Sequence, residues 1–180
     1  MPNLQSTKLT HNVRPRVAPS GSAAYGAEIG GLGRWWQAWA VPPSSWSAAL
    51  RAADGYHLSP PATPSSLGTA EAELEVTFPG ELRALYLASD GVFDEPGQWF
   101  VIWPVTDLVS RNQAAWAAGS STRRELLAFG DDGTGSPFCV SRGGGPDVFF
   151  WSPVLNEITH LAPGLASFWN AWIKGSLPPH

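Results

Sequence analysis

Between residues 126 and 162 the chain strings together four apolar runs, "LLAFG", "PFCVSR", "VFFWSP" and "EITHLA". Only short breaks separate them, among them "DDGTGS" and "GGGPD". This spacing is the strongest constraint in the sequence. A parallel strand pair needs a crossover of a dozen or more residues, whereas antiparallel neighbours are joined by tight turns. The runs are therefore read as a meander of antiparallel strands. A further aromatic and β-branched run, "QWFVIWPV", ends at Pro104 as a strand would. Helical periods precede it, interrupt the strands once and close the chain. The expected fold is α+β: an antiparallel sheet of about four to six strands with helices packed against it.

The break "DDGTG", Asp131 to Gly135, raises a chemical question as well as a topological one. A calcium loop of the EF-hand type needs oxygen ligands at alternate positions and a closing bidentate glutamate, and no carboxylate follows until Asp147. A phosphate cradle needs a strand, a glycine loop with lysine, and a helix; the lysine and the helix are both missing. Asp-Gly between two apolar runs is a hairpin signal. The loop is read as a turn.

The helices are marked by their ends. "SSWSAALRAADG" places Trp46 and Leu50 on one face, with Ser44 or Ser45 as the expected cap and Gly55 as the stop. Thr63 followed by Pro64 predicts a second start, since proline's missing N–H costs nothing in the first turn. Leu67, Ala70 or Glu71, and Leu74 follow at helical spacing, and Phe78-Pro79 breaks the run. Leu82, Leu85, Tyr86 and Ser89 form the next stripe, which Gly91 closes. "VTDLVSRNQAAWAAG" predicts two or three helical turns capped by Thr106 or Asp107. Leu165, Phe168, Trp169, Trp172 and Ile173 define a terminal helix with Lys174 and Gly175 at its end.

Residues 1–29 carry little aliphatic mass and several breakers, including Pro2, Pro15, Pro19 and Gly21. They predict a flexible leader before a single domain over 30–180. Ten tryptophans in 180 residues are the compositional outlier and are expected to help build the core. The single cysteine, Cys139, excludes an internal disulfide and any multi-thiolate zinc site; between Phe138 and Val140 it reads as a buried, inert thiol. No apolar run approaches the ~18 residues of a membrane span. The N-terminal basic residues precede no apolar stretch, so no Sec-type signal is expected. The protein reads as soluble and cytoplasmic.

The net charge of -4 is unevenly spread. Eight acidic residues lie between Glu71 and Asp107, with Arg83 the only basic residue among them. Such a segment repels nucleic acid and speeds encounter with cationic partners; a solvated acidic helix face would have the same composition. "RNQAAWAAGSSTRR", with Arg111, Arg123 and Arg124, reads as the solvated rim of a helix and loop.

No catalytic constellation is visible. His11, His57, His160 and His180 are scattered, no Gly-x-Ser-x-Gly elbow occurs, and no histidine pair has metal-binding spacing. Paired carboxylates with stacking tryptophans would suit a carbohydrate-active or carbohydrate-binding protein, but nothing selects one pair. No metal, no cofactor and no enzymatic activity are expected.

"AEAELEVTFPGELRALYLASDGVFD", Ala70 to Asp94, resembles the signature helices of the SUKH superfamily, which holds bacterial toxin-immunity proteins and the Smi/Knr-type cell-wall regulators of yeast. The shared pattern is an acidic helix (Glu71 to Glu75), a Phe78-Pro79 corner, a leucine-rich helix (Leu82, Leu85, Tyr86) and a closing Asp90-Gly91. "FVIWPVTDL", "LLAFGDDGTGSPFCV", "DVFFWSP" and "LASFWNAWI" follow in the family's order, so the resemblance spans about Trp35 to Ile173. It implies a non-catalytic protein-binding domain, first of all an immunity protein that occludes a cognate basic toxin such as a nuclease or deaminase. A regulatory scaffold of the Smi/Knr type is the alternative. On this reading the candidate contacts are Asp94, Glu95, Gln98 and Trp99 beyond the helix end, and Asp131 and Asp132 at the hairpin. Asp90 is expected to cap the helix end before it.

Overall fold

A computed structural model describes residues 43–178, all within one unit, Arg34–His180. The expected leader and the tryptophans of "RWWQAW" lie outside the described residues. Helix α1 (Pro43–Arg51) leads into strand β1 (Tyr56–Leu58), then α2 (Pro64–Leu74) and α3 (Gly80–Tyr86). Strands β2 (Val92–Asp94) and β3 (Trp99–Ile102) are followed by α4 (Val105–Ala118) and a single turn, α5 (Ser121–Arg124). Strands β4 (Leu126–Asp131), β5 (Pro137–Ser141), β6 (Val148–Ser152) and β7 (Glu157–Ala162) run to the closing helix α6 (Leu165–Ile173).

The seven strands among the described residues form one antiparallel sheet in the order β1-β2-β3-β4-β5-β6-β7, so every strand pairs with its neighbours in sequence. The α+β reading holds. The sheet carries seven strands because two of three residues each, β1 and β2, extend it on the N-terminal side. Strands that short leave no period to read.

The inner face carries Leu127 and Phe129 of β4, Phe138 and Val140 of β5, and Val148 and Phe150 of β6, all buried. They meet Leu82, Leu85 and Tyr86 of α3 and Leu165, Phe168 and Trp169 of α6 in one cluster. The Phe138 ring stands edge-on to Phe168 with centroids 4.8 Å apart, a favoured aromatic geometry. The outer face has its own smaller cluster, in which Trp103, Leu126, Ala128 and Cys139 are joined by Phe100, Phe149 and Trp151. Apolar mass on both faces explains why β4 and β5 are buried almost end to end. Cys139 lies fully buried there, and burial pushes its thiol up to about 12.

Thr63 caps α2 as expected: its hydroxyl accepts from the Ser66 N–H at 3.0 Å, and Ser66 Oγ returns the bond to the Thr63 N–H at 3.1 Å. Three other cap expectations are corrected. Helix α1 already starts at Pro43, so Ser44 and Ser45 lie inside it. Thr106 and Asp107 lie inside α4 and do not cap it; Pro104 occupies the cap position. Asp90 supplies the missing acceptor, its Oδ1 taking the Val105 N–H at 2.8 Å, so it serves the start of α4 rather than the end of α3. Helix α4 also runs for 14 residues, longer than its pattern predicts.

The signature helices are joined by one carboxylate. Glu71 Oε1 accepts the Phe78 N–H at 2.9 Å, and its Oε2 pairs with Arg83. An acid in mid-α2 thus fixes the Phe-Pro corner to α3. Glu81 acts similarly at a distance, accepting the Leu165 N–H at 2.7 Å where α6 begins.

Arg123 departs from the sequence reading. It is buried, not part of a solvated rim, and donates to Leu126 O at 2.7 Å and Asn112 Oδ1 at 3.0 Å. Burial lowers its pKa from the usual guanidinium range.

Candidate partner-binding face

The turn between β2 and β3 carries four of the six candidate contacts. Asp94 pairs with Trp99 across the hairpin. The Gln98 N–H donates to Asp94 O at 2.8 Å, and Asp94 Oδ1 accepts the Gly97 N–H at 3.3 Å. Gln98 takes the left-handed conformation (φ 62°) and stays exposed, as does Glu95. The Glu95 main chain is anchored, donating to Gly55 O at 3.0 Å.

The second turn, between β4 and β5, settles the question posed by "DDGTG". Asp131 pairs with Pro137 and closes a hairpin. Asp132 Oδ1 accepts the Thr134 N–H at 2.9 Å, and its carboxylate also holds the Thr134 hydroxyl, an aspartate folding its own turn. Asp131 is engaged more deeply. Its Oδ2 accepts the Trp103 Nε1–H at 3.0 Å, and its Oδ1 the Gly133 N–H at 2.8 Å. Among the described residues no group of three His, Cys, Asp or Glu side chains could hold a metal ion.

Trp99 brings the two turns together. A Cβ built on Gly133 would come within 2.8 Å of its indole, and one on Gly97 within 1.4 Å, so the ring lies across both glycines. Both turns therefore stand side by side with all six candidate residues on them. Their availability differs. Glu95 and Gln98 are exposed, Asp94 and Asp132 are half-buried, and Trp99 and Asp131 are largely committed to internal contacts. Neither turn carries a lysine or arginine.

Arg111 was missed as part of this face. Its guanidinium lies over the Trp103 ring, 4.6 Å from the centroid, with Asp131 at 3.7 Å and Asp107 at 3.9 Å. The spacing of Asp107 and Arg111, four apart, was the available signal. Also unforeseen is the β6–β7 tip, where Val154 and Leu155 are 90% and 67% exposed. None of the seven described tryptophans is exposed: Trp46, Trp103 and Trp169 are buried, and Trp99, Trp116, Trp151 and Trp172 are half-buried.

A family model described as the SMI1 / KNR4 family (SUKH-1) matches residues 61–171, from the approach to α2 through most of α6. The chain belongs to the SMI1/KNR4 (SUKH-1) family. No curated protein matches it at a significant level. The SUKH-1 match begins just before the Thr63 cap and takes in the Glu71 clamp, the corner and both turns. No helix among the described residues is long and apolar enough to cross a membrane.

Proposed function

We propose that this SUKH-1 domain is a non-catalytic binding module, and specifically an immunity protein that neutralises a cationic protein toxin by covering it. The observation that carries the reading is the paired turn. Asp94, Glu95, Asp131 and Asp132 lie on two adjoining turns with no basic residue in either, and among the described residues only Asp131 of these four pairs with an arginine. Surfaces of one sign raise encounter rates with partners of the other. A nuclease or deaminase toxin, built to hold nucleic acid, presents such a cationic surface.

The test is capture of partners from the native lysate at low and high salt, with wild-type protein and with the Glu95→Lys/Asp132→Lys double variant as bait. The expected result is a basic toxin retained by wild type, released by salt and lost by the variant. Retention by both baits, unaffected by salt, would refute the acidic contact face. Recovery of cell-wall or signalling proteins alone would favour the second reading, a regulatory scaffold, for which the SMI1/KNR4 family match speaks.

A further inference from the structure

Among the described residues β1 pairs with β2 alone, and none of them forms a ladder on its other edge. The Ser59 N–H donates to Gly91 O at 3.2 Å and the Glu95 N–H to Gly55 O at 3.0 Å. Odd-numbered residues thus bond toward β2, and the alternation of an antiparallel ladder turns the N–H and C=O groups of Tyr56 and Leu58 to the outer edge, where no described strand meets them. A groove of 460 Å³ opens between α1 and the chain through β1, within the range of ligand clefts (roughly 300–1,000 Å³).

The side chains along this groove share a chemistry. Ser47 and Arg51, four apart on α1, line one side, and His57, Leu58 and Ser59 line the other. Arg51 and His57 are exposed, and neither has an ion-pair partner among the described residues. No carboxylate appears among the lining residues, although the chain as a whole carries -4. Two apolar residues beyond β1, Pro60 and Pro61, continue the wall.

A strand edge beside a cationic, partly apolar cleft has the parts that β-strand addition uses: main-chain bonds for affinity and side-chain subsites for choice. We infer that this groove receives an extended acidic peptide segment of a partner protein, its main chain pairing with β1 and a carboxylate meeting Arg51. Alternation along the added strand would send its acidic side chains to one side and its apolar ones to the other. None of the six candidate contacts on the paired turns lines the groove, so this inference stands or falls independently of toxin neutralisation.

The probe is a capped hexapeptide of alternating valine and glutamate, titrated into the full chain while amide resonances are followed by NMR. Binding should move the amides of Tyr56 to Ser59. A valine–glutamine version should bind roughly tenfold more weakly or worse, since charge-assisted bonds exceed neutral ones by that order. The glutamate peptide methylated on alternate main-chain nitrogens should not bind. Arg51→Glu should lose the acidic peptide and take a valine–lysine one, while its circular dichroism stays that of the parent. Equal affinity for the glutamate and glutamine peptides, or shifts confined to other strands, would overturn the proposal. So would silence toward every peptide. Shifts at the groove that appear with rising protein concentration alone would assign it to a second copy of the chain and overturn it too.

Discussion

Asn112 and Arg123 form the most consequential polar pair in the core, and their unequal roles can be measured. Beside Ala128 the ladder is interrupted, because β3 pairs with β4 in register only at Ile102–Gly130. The Asn112 side chain fills the gap as a strand peptide would. Its Oδ1 accepts the Ala128 N–H at 2.9 Å, and its Nδ2 donates to Ala128 O at 2.7 Å and to Leu108 O at 2.8 Å. The same Oδ1 takes Arg123 Nη2 at 3.0 Å. Asn112→Leu, close in volume, strands the Ala128 N–H and C=O and one arm of a buried guanidinium. At about 1–3 kcal/mol per buried group left unpaired, the expected loss is on the order of 3–6 kcal/mol.

Arg123→Met acts differently. It removes a buried cation that, among the described residues, has no carboxylate partner and whose Nε lacks an acceptor. The acceptors it leaves keep other donors: Leu126 O holds Trp116 Nε1 at 2.9 Å, and Asn112 Oδ1 holds the Ala128 N–H. Because the charge no longer has to be desolvated, the cost should be only about 1–2 kcal/mol. The double variant should lose less than the sum of the singles by about 1 kcal/mol or more, the arginine no longer being there to strand. Urea unfolding followed by far-ultraviolet dichroism and tryptophan fluorescence gives all three values. An Arg123→Met loss larger than that of Asn112→Leu would refute the reasoning, as would singles that add within about 0.5 kcal/mol.

Alkaline pH should expose the buried thiol. An unfolded Cys139 ionises above 9.0, whereas the folded one holds its proton to about 12. Its share of stability is therefore whole below pH 9 and lost at about 1.4 kcal/mol per unit between the two values. Cys139→Ala should flatten that decline, leaving the share of Tyr86, whose burial raises its phenol well above 10.0; equilibrium unfolding at pH 8, 9 and 10 would show it. Glu71→Ala should cost about 2 kcal/mol by stranding the Phe78 N–H, a fall of roughly 4–8 °C in Tm by calorimetry, and an unchanged Tm would remove the clamp from the account. Gly130→Ala would drive a Cβ to 1.8 Å from Val101 O. The main chains of β3 and β4 must then separate, and a cost above 3 kcal/mol, large for a point substitution, is expected from the same urea curves.

The parts of the fold that could be read from the sequence are those that announce their own ends. Thr63-Pro64, the Phe78-Pro79 corner and the Gly-rich turns each fix a local conformation by themselves, and the α6 stripe puts Leu165, Phe168 and Trp169 into the core where its period requires. The unread parts depend on partners distant in sequence. Strands β1 and β2 exist because each can pair, not because three residues prefer to extend. Asp90 reaches 15 residues to cap α4, and Arg123 is buried only because Asn112 and β4 meet it. At the candidate face, the turn character of "DDGTG" was legible from Asp-Gly alone. The position of Trp99 across Gly133 was not, since no local pattern tells where an indole will fold back.

Sequence order and spatial order coincide across all seven strands, and this bears on how the chain is made. From β4 to β7 each strand meets its neighbour across a short turn, whereas β1 waits for α2 and α3 before β2 arrives and β3 waits for α4 and α5 before β4. Local pairing of this kind closes small loops first and tends toward fast folding. As the chain leaves the ribosome, the sheet can grow from β1 onward, with α2 and α3 laid down before β2 adds. The inner face stays incomplete until α6, the last of the described helices, supplies Phe168 and Trp169. Closure of the core waits for α6, and truncation before it would leave an apolar sheet face open to aggregation.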